Sequence, residues 1–159
     1  MHEWQGSAGA AGYRFAIVVS RFNPEITEGL LAGARAALEE AGVRDDDITL
    51  VRVPGAFELA IAAQRLAESG RVDAVICLGC LIKGDTMHFE YIADAATRGI
   101  AEVGLATGVP VTFGVLTTLT DEQADVRARP GDGNKGREAA AAAIEMATLL
   151  RAIDGGPAA

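Results

Sequence analysis

Val72-Asp73-Ala74-Val75-Ile76-Cys77-Leu78-Gly79 is the stretch on which the fold turns. After Asp73 it carries no polar side chain, whereas a strand with one wet face alternates apolar and polar residues. A short continuous apolar run bounded by glycine suits a strand covered on both faces, as in a parallel sheet with helices above and below. Residues 14–20, Arg14-Phe15-Ala16-Ile17-Val18-Val19-Ser20, repeat the pattern. Two further apolar runs, 48–53 and 109–116, complete four predicted strands.

Segments of helical character lie between and after these runs. Residues 24–41 place Ile26, Leu30, Ala34 and Leu38 on one face, with Asn23 as a suitable N-cap, Pro24 as first residue and Gly42 as stop. Further helices are expected over 57–69, ended by Gly70, and over 89–107, ended by Gly108 and Pro110. Thr120 and Gln123 form a capping box opening a short helix, and the last helix spans 134–153. The order βαβαβαβαα predicts an α/β fold, a three-layer, doubly wound, four-stranded parallel sheet of flavodoxin-like type. No repeat or linker divides residues 1–159, which are expected to form a single domain. A small open sheet has two edges to cover, so self-association is expected as well.

Composition narrows the function. The chain has 159 residues, half of them apolar, and a net charge of −8. An acidic chain is a poor partner for nucleic acid, whose phosphates are held by basic surfaces. Glu102, Gly104, Gly108, Pro110 and Gly114 interrupt the longest apolar stretch, so no membrane association is expected. Residues 1–12 carry neither the basic nor the apolar region of a signal peptide and are expected to form a short mobile arm. A cytoplasmic location is the default expectation. Cys77 and Cys80 are spaced C-x-x-C, but Cys77 lies inside a strand run and no helix follows Cys80 directly. The pair is expected to be inert core thiols rather than a redox motif or a metal site.

In open α/β sheets ligands bind beyond the carboxyl ends of the strands. The unusual residues are expected there: Arg21-Phe22-Asn23 after the first strand, Pro54-Gly55-Ala56-Phe57-Glu58 after the second, Cys80 to His88 after the third, and Phe113 near the end of the fourth. Phe22, Phe57 and Phe113 suit either lid packing or stacking on a flat heterocycle. Glu58 suits either the positive end of a helix dipole or the acceptance of ring N–H and sugar hydroxyl bonds. Gly84-Asp85-Thr86 precedes a helix N-terminus, where backbone N–H groups hold anions. His88 is either an ordinary surface histidine or a proton-transfer group titrating near neutrality. Arg127 is either solvated or a bidentate phosphate ligand. Gly131-Asp132-Gly133-Asn134-Lys135-Gly136 matches G-x-G-x-x-G, but it follows a helix and precedes no strand, so it is not a dinucleotide site.

Taken in order, Arg21-Phe22-Asn23, Pro54-Gly55-Ala56-Phe57-Glu58, Leu78 to His88, Phe113-Gly114-Val115-Leu116-Thr117 and Gly133-Asn134-Lys135-Gly136 make the chain resemble the lumazine synthase family, from Arg14 to Ile153. The resemblance implies condensation of 5-amino-6-(D-ribitylamino)uracil with 3,4-dihydroxy-2-butanone 4-phosphate to 6,7-dimethyl-8-ribityllumazine. It implies no metal and no organic cofactor. It assigns the pyrimidine to Phe22, Ala56, Phe57, Glu58, Cys80, Leu81, Ile82 and Phe113. The butanone phosphate falls to Asp85, Thr86 and Arg127, and proton transfer to His88. Phe113 and Arg127 would come from a neighbouring copy, implying a homopentamer at least, with larger icosahedral shells in some members. A functional link to riboflavin synthase is also implied.

The chain departs from the family pattern at four positions. Gly131 stands where a lysine is common, Arg129 where glycine is common, Lys83 where arginine is frequent and Met87 where proline is frequent. The first two put shell formation in doubt and suggest Arg129 as a substitute cation. Competing readings are a riboflavin synthase of the related α/β type and a non-catalytic flavin-binding or shell protein. Intact His88 and Arg127 argue against the latter.

Overall fold

The computed structural model describes residues 1–156. The elements are β1 (Phe15–Ser20), α1 (Pro24–Glu40), β2 (Ile48–Val53), α2 (Leu59–Glu68), β3 (Ala74–Ile82), α3 (His88–Thr107), β4 (Val111–Thr118), α4 (Asp121–Ala128) and α5 (Lys135–Gly155). All strand pairings are parallel, in the order β2-β1-β3-β4. This is the flavodoxin-like α/β arrangement expected from the sequence.

Strand parity builds the two cores. Phe15, Ile17 and Val19 of β1, with Ala74, Ile76, Leu78 and Cys80 of β3, face Leu30, Ala34 and Leu38 of α1 and Ala140, Ala143 and Ile144 of α5. Ala16 and Val18, with Val75 and Cys77, face Leu59 and Ala63 of α2 and Ala96, Ile100 and Val103 of α3. Adjacent residues point to opposite faces, so a strand buried on both sides must be apolar throughout. β1 is buried at every position, whereas edge strand β2 is mostly half-buried or exposed. Each large aliphatic side chain taken fully out of water contributes about 1.5–3 kcal/mol.

Strands β3 and β4 depart most from the expected bounds. β3 does not stop at Gly79 but continues to Ile82, because β4 goes on pairing with it, from Gly79↔Val115 to Ile82↔Thr118. Glycine at 79 reflects crowding rather than a strand end: a Cβ there would lie 3.0 Å from Ser20 Oγ and 3.3 Å from Leu59 Cδ1. Correspondingly, β4 runs over Val111–Thr118 instead of 109–116, with the Pro110 carbonyl accepting from Val75 N–H at 2.9 Å. Residues 56–58 form a separate 3-10 turn before α2, and α3 begins one residue early, at His88. Gly6–Ala10, within the expected mobile arm, lies against the last helix and α1. Ser7 N–H donates to Thr148 Oγ1 at 2.8 Å and Ala10 N–H to the Ala41 carbonyl at 2.9 Å, and Ala10 is buried.

The glycine-rich turn at 131–136 is structural. Asn134 is buried; its amide donates at 3.0 Å to the carbonyls of Gly29, Ala128 and Arg129, and its Oδ1 accepts from Arg137 N–H at 3.0 Å. Gly33 lets α1 approach this amide, and a Cβ on Gly136 would run into the Leu30 carbonyl. One side chain therefore caps α5, ends α4 and seats both on α1. Asn134→Ala removes all of these bonds, the buried one to the Ala128 carbonyl included, and is expected to destabilise the fold by about 2–4 kcal/mol, read as a lower urea midpoint with unchanged m.

Candidate active site

Strand order fixes where a ligand crevice opens. β1 leaves the sheet after Ser20 and crosses to one side, while the chain reaches β3 from the other, so a notch forms at the ends of these central strands. β1–β3 pairing ends at Val19↔Leu78, yet β3 continues to Ile82. The Asn23 side-chain amide enters this gap and donates to the Cys80 carbonyl at 3.0 Å. Asn23 is the one non-glycine residue of the described chain in the left-handed region, φ 57°, ψ 59°. Its own carbonyl accepts the N–H groups of Ile26 and Thr27, each at 3.0 Å. Asn23 precedes α1 as expected, but its side chain does not cap the helix; it ties the β1 exit to β3. A strained backbone held by surrounding bonds is common at ligand sites.

A cleft of about 510 Å³ lies at this notch, lined by Phe22, Asn23, Gly55, Ala56, Phe57, Glu58, Cys80, Leu81, Ile82, His88 and Ile92. Its size suits a ligand of one or two rings with a side chain. Phe22 and Phe57 are 69% and 60% exposed, too open for lid packing in this chain alone. Gly55 makes room for the Phe22 ring: a Cβ would stand 3.1 Å from Phe22 Cδ2 and 3.3 Å from a Glu58 carboxylate oxygen. Glu58 Oε2 accepts from Gly55 N–H at 3.1 Å, which orients the carboxylate and leaves its other oxygen for a ligand. Cys80, Leu81 and Ile82 belong to β3 itself rather than to the following loop. His88 is the exposed first residue of α3, its N–H directed to Thr86 Oγ1 at 3.4 Å. Thus eight sequence-selected residues meet in one cleft: Phe22, Ala56, Phe57, Glu58, Cys80, Leu81, Ile82 and His88.

Phe113 and Arg127 are elsewhere. Phe113 is the third residue of β4, opposite Cys77 and well before the strand end where the sequence placed it. The β4 boundary shift removes it from this chain's rim. It lines a second cleft of about 320 Å³ between β4 and α5, with Thr112, Arg127, Lys135 and Glu138 among its walls. The two clefts share no lining residue. Arg127 is exposed, and its Nη1 donates to the Gln123 carbonyl at 2.9 Å; Lys135 Nζ pairs with Glu138 Oε2 at 2.8 Å. Arg129 is held by Asp125, at 3.0 and 2.6 Å, and is not part of the wall, so Lys135 is the second cation of this cleft. Asp85 and Thr86 are exposed and line neither cleft. Sequence inspection gave no role to Lys135, Glu138 or Ile92, although Lys135 lies inside the glycine motif.

The thiols sit on opposite sheet faces, Cys77 against α2 and α3 and Cys80 against α1 and α5, because three residues along a strand reverse the side-chain direction. Burial pushes Cys77 up to about 12. Cys80 is raised to about 11, by burial first and then by the charges of Asp121 and Glu25. Among the described residues, no three His, Cys, Asp or Glu side chains gather as a metal site requires, and no helix is long and apolar enough to cross a membrane.

An open parallel α/β sheet thus brings exposed rings, a carboxylate and an imidazole together at its switch point, with two cations in a separate cleft, an arrangement of the enzyme class. The sequence pattern described as 6,7-dimethyl-8-ribityllumazine synthase matches residues 12–151. A 6,7-dimethyl-8-ribityllumazine synthase of Salinibacter ruber (strain DSM 13855 / M31) is 52% identical over 151 residues, covering 95% of this chain and 97% of the relative. The chain belongs to the 6,7-dimethyl-8-ribityllumazine synthase family.

Both thiols are neutral in the fold, with raised values. Their contribution to stability is complete below about 9, the ordinary value, and is lost as the pH rises towards the folded values. Native protein at pH 7.5 is therefore expected to resist iodoacetamide at both positions. Mass spectrometry should show two modified cysteines only after denaturation; rapid native labelling would contradict the burial.

Proposed function

We propose that this protein condenses 5-amino-6-(D-ribitylamino)uracil with 3,4-dihydroxy-2-butanone 4-phosphate, releasing 6,7-dimethyl-8-ribityllumazine, phosphate and water in the cytoplasm. Family membership supports the reaction. The observation that carries it to particular residues is the cleft in which the open Phe22 ring stands above Gly55, with Glu58 and His88 in the same wall.

The pyrimidine stacks on Phe22, with Phe57 beside it, and Glu58 accepts its polar hydrogens. Backbone groups of Ala56, Cys80, Leu81 and Ile82 meet the ring edge and the ribityl chain. The ring amine attacks the ketone to give a Schiff base with loss of water. His88 then moves the proton whose removal lets phosphate depart, and the ribitylamino nitrogen closes the ring on the remaining carbonyl with loss of a second water. Holding both reactants together makes a bimolecular encounter nearly unimolecular. Asp85 and Thr86, at the entrance to α3, border the phosphate end.

This cleft has no Lys or Arg in its wall, while the second has Arg127 and Lys135 beside Phe113. A neighbouring copy that brings Phe113 and Arg127 to the Phe22 cleft supplies the phosphate cation and covers the exposed rings. The assembly is a homopentamer, and larger shells are an extension of it. Riboflavin synthase would consume the product.

Purified protein given both substrates is expected to generate lumazine fluorescence; its absence, or turnover of the lumazine alone into riboflavin, would overturn the assignment. His88→Ala should lower kcat by about 10- to 100-fold, since proton transfer is assisted by a single group. Arg127→Ala should lower kcat/KM by about 100-fold or more, because the phosphate loses a charged partner.

Subunit sharing has its own test. Co-refolding His88→Ala chains with Arg127→Ala chains should restore on the order of a quarter of the wild-type sites, each built from one intact half of either chain. No recovery in mixed assemblies would place both groups in one chain's site.

A further inference from the structure

His88 reaches its cleft through a segment with few anchors. Residues 83–87 join the end of β3 to α3 and are exposed throughout. A Cβ on Gly84 would meet nothing within 4 Å. Beyond the segment, the first buried residue of α3 is Ala96, about two turns after His88. Ile92, one turn after His88, packs only partly buried against the core, so core packing holds the body of the helix more firmly than its first turn.

One pair of side chains ties that turn back to the sheet. Lys83 N–H donates to the Thr118 carbonyl at 2.9 Å, which fixes Lys83 to β4. Its Nζ lies 3.1 Å from Oε1 of Glu90, two residues beyond His88. The Glu90 carboxyl is held below its usual range, first by its own backbone N–H and then by Lys83, so it stays ionised near neutrality. Its Oε2 is buried without a partner.

Resting on the condensation assigned above, we propose that Lys83 and Glu90 are positioning residues that set where His88 stands over the cleft and so control proton transfer without touching substrate. A half-exposed ion pair contributes little to global stability, which separates this role from a merely structural one. The pyrimidine contacts at Phe22, Phe57 and Glu58 lie on other segments, and the backbone groups of Cys80, Leu81 and Ile82 are held by pairing with β4 whatever side chain follows at 83.

The test is a steady-state cycle on the assembled enzyme, with wild-type turnover measured first; an inactive wild type would refute the assigned reaction, not the pair's role within an active enzyme. Glu90→Gln and Lys83→Met are each expected to lower kcat about tenfold, with KM for the pyrimidine and the thermal midpoint unchanged. Lys83→Arg should retain activity, because a guanidinium reaches both carboxylate oxygens. The reversed pair, Lys83→Glu with Glu90→Lys, should recover most of kcat. In a His88→Ala background the Glu90→Gln loss should vanish, since the effect passes through the imidazole. Additive losses with His88→Ala, a rise in KM at constant kcat, or wild-type kcat in both single variants would overturn the proposal. Should Glu90→Gln fail to assemble, Lys83→Met decides the matter by the same cycle.

Discussion

The hydrogen bond from the Asn23 amide to the Cys80 carbonyl is the constraint on which the ligand end of the molecule depends. β1 stops pairing with β3 before β3 ends, and a carbonyl facing that gap would otherwise lack a protein partner. Asn23 answers it at the cost of a left-handed backbone, and the same residue starts α1. The direction in which Phe22 leaves the sheet, and its seat above Gly55, follow from that turn. A local strain at the switch point thus converts a regular sheet into a cleft.

Much of the architecture was legible because two strands are buried on both faces. Such burial forces the uninterrupted apolar runs around Ile17 and Ile76, and glycines near the helix ends marked where the chain turns. Strand ends were less legible. Gly79 resembles a terminator in one dimension, but its reason is three-dimensional: Ser20 and Leu59 fill the space a side chain would need. Pairing with β4 then carries the strand through Cys80, Leu81 and Ile82.

The site was legible in part. Residues clustered just after β1 and β2 met as the topology requires, since local sequence and the strand-end rule agree there. Phe113 was placed too near the end of β4, because the bounds of that strand depend on its register with β3, which apolar pattern alone does not set. Lys135 and Glu138 went unassigned because their helix touches the sheet far from the loops in sequence. The glycine motif at 131–136 had a clear signal but a packing purpose: Asn134 satisfies three carbonyls where α1, α4 and α5 meet.

That three-helix junction also sets how rigidity is shared out. α1 and α5 are pinned by contacts too tight to admit an extra methyl, whereas the opening turns of α3 hang ahead of their first core residue. Local opening is accordingly expected to be graded across the molecule, with the back layer held the more firmly and the front lip the less. A protein arranged this way can yield at one corner without loosening the layer that stores its stability.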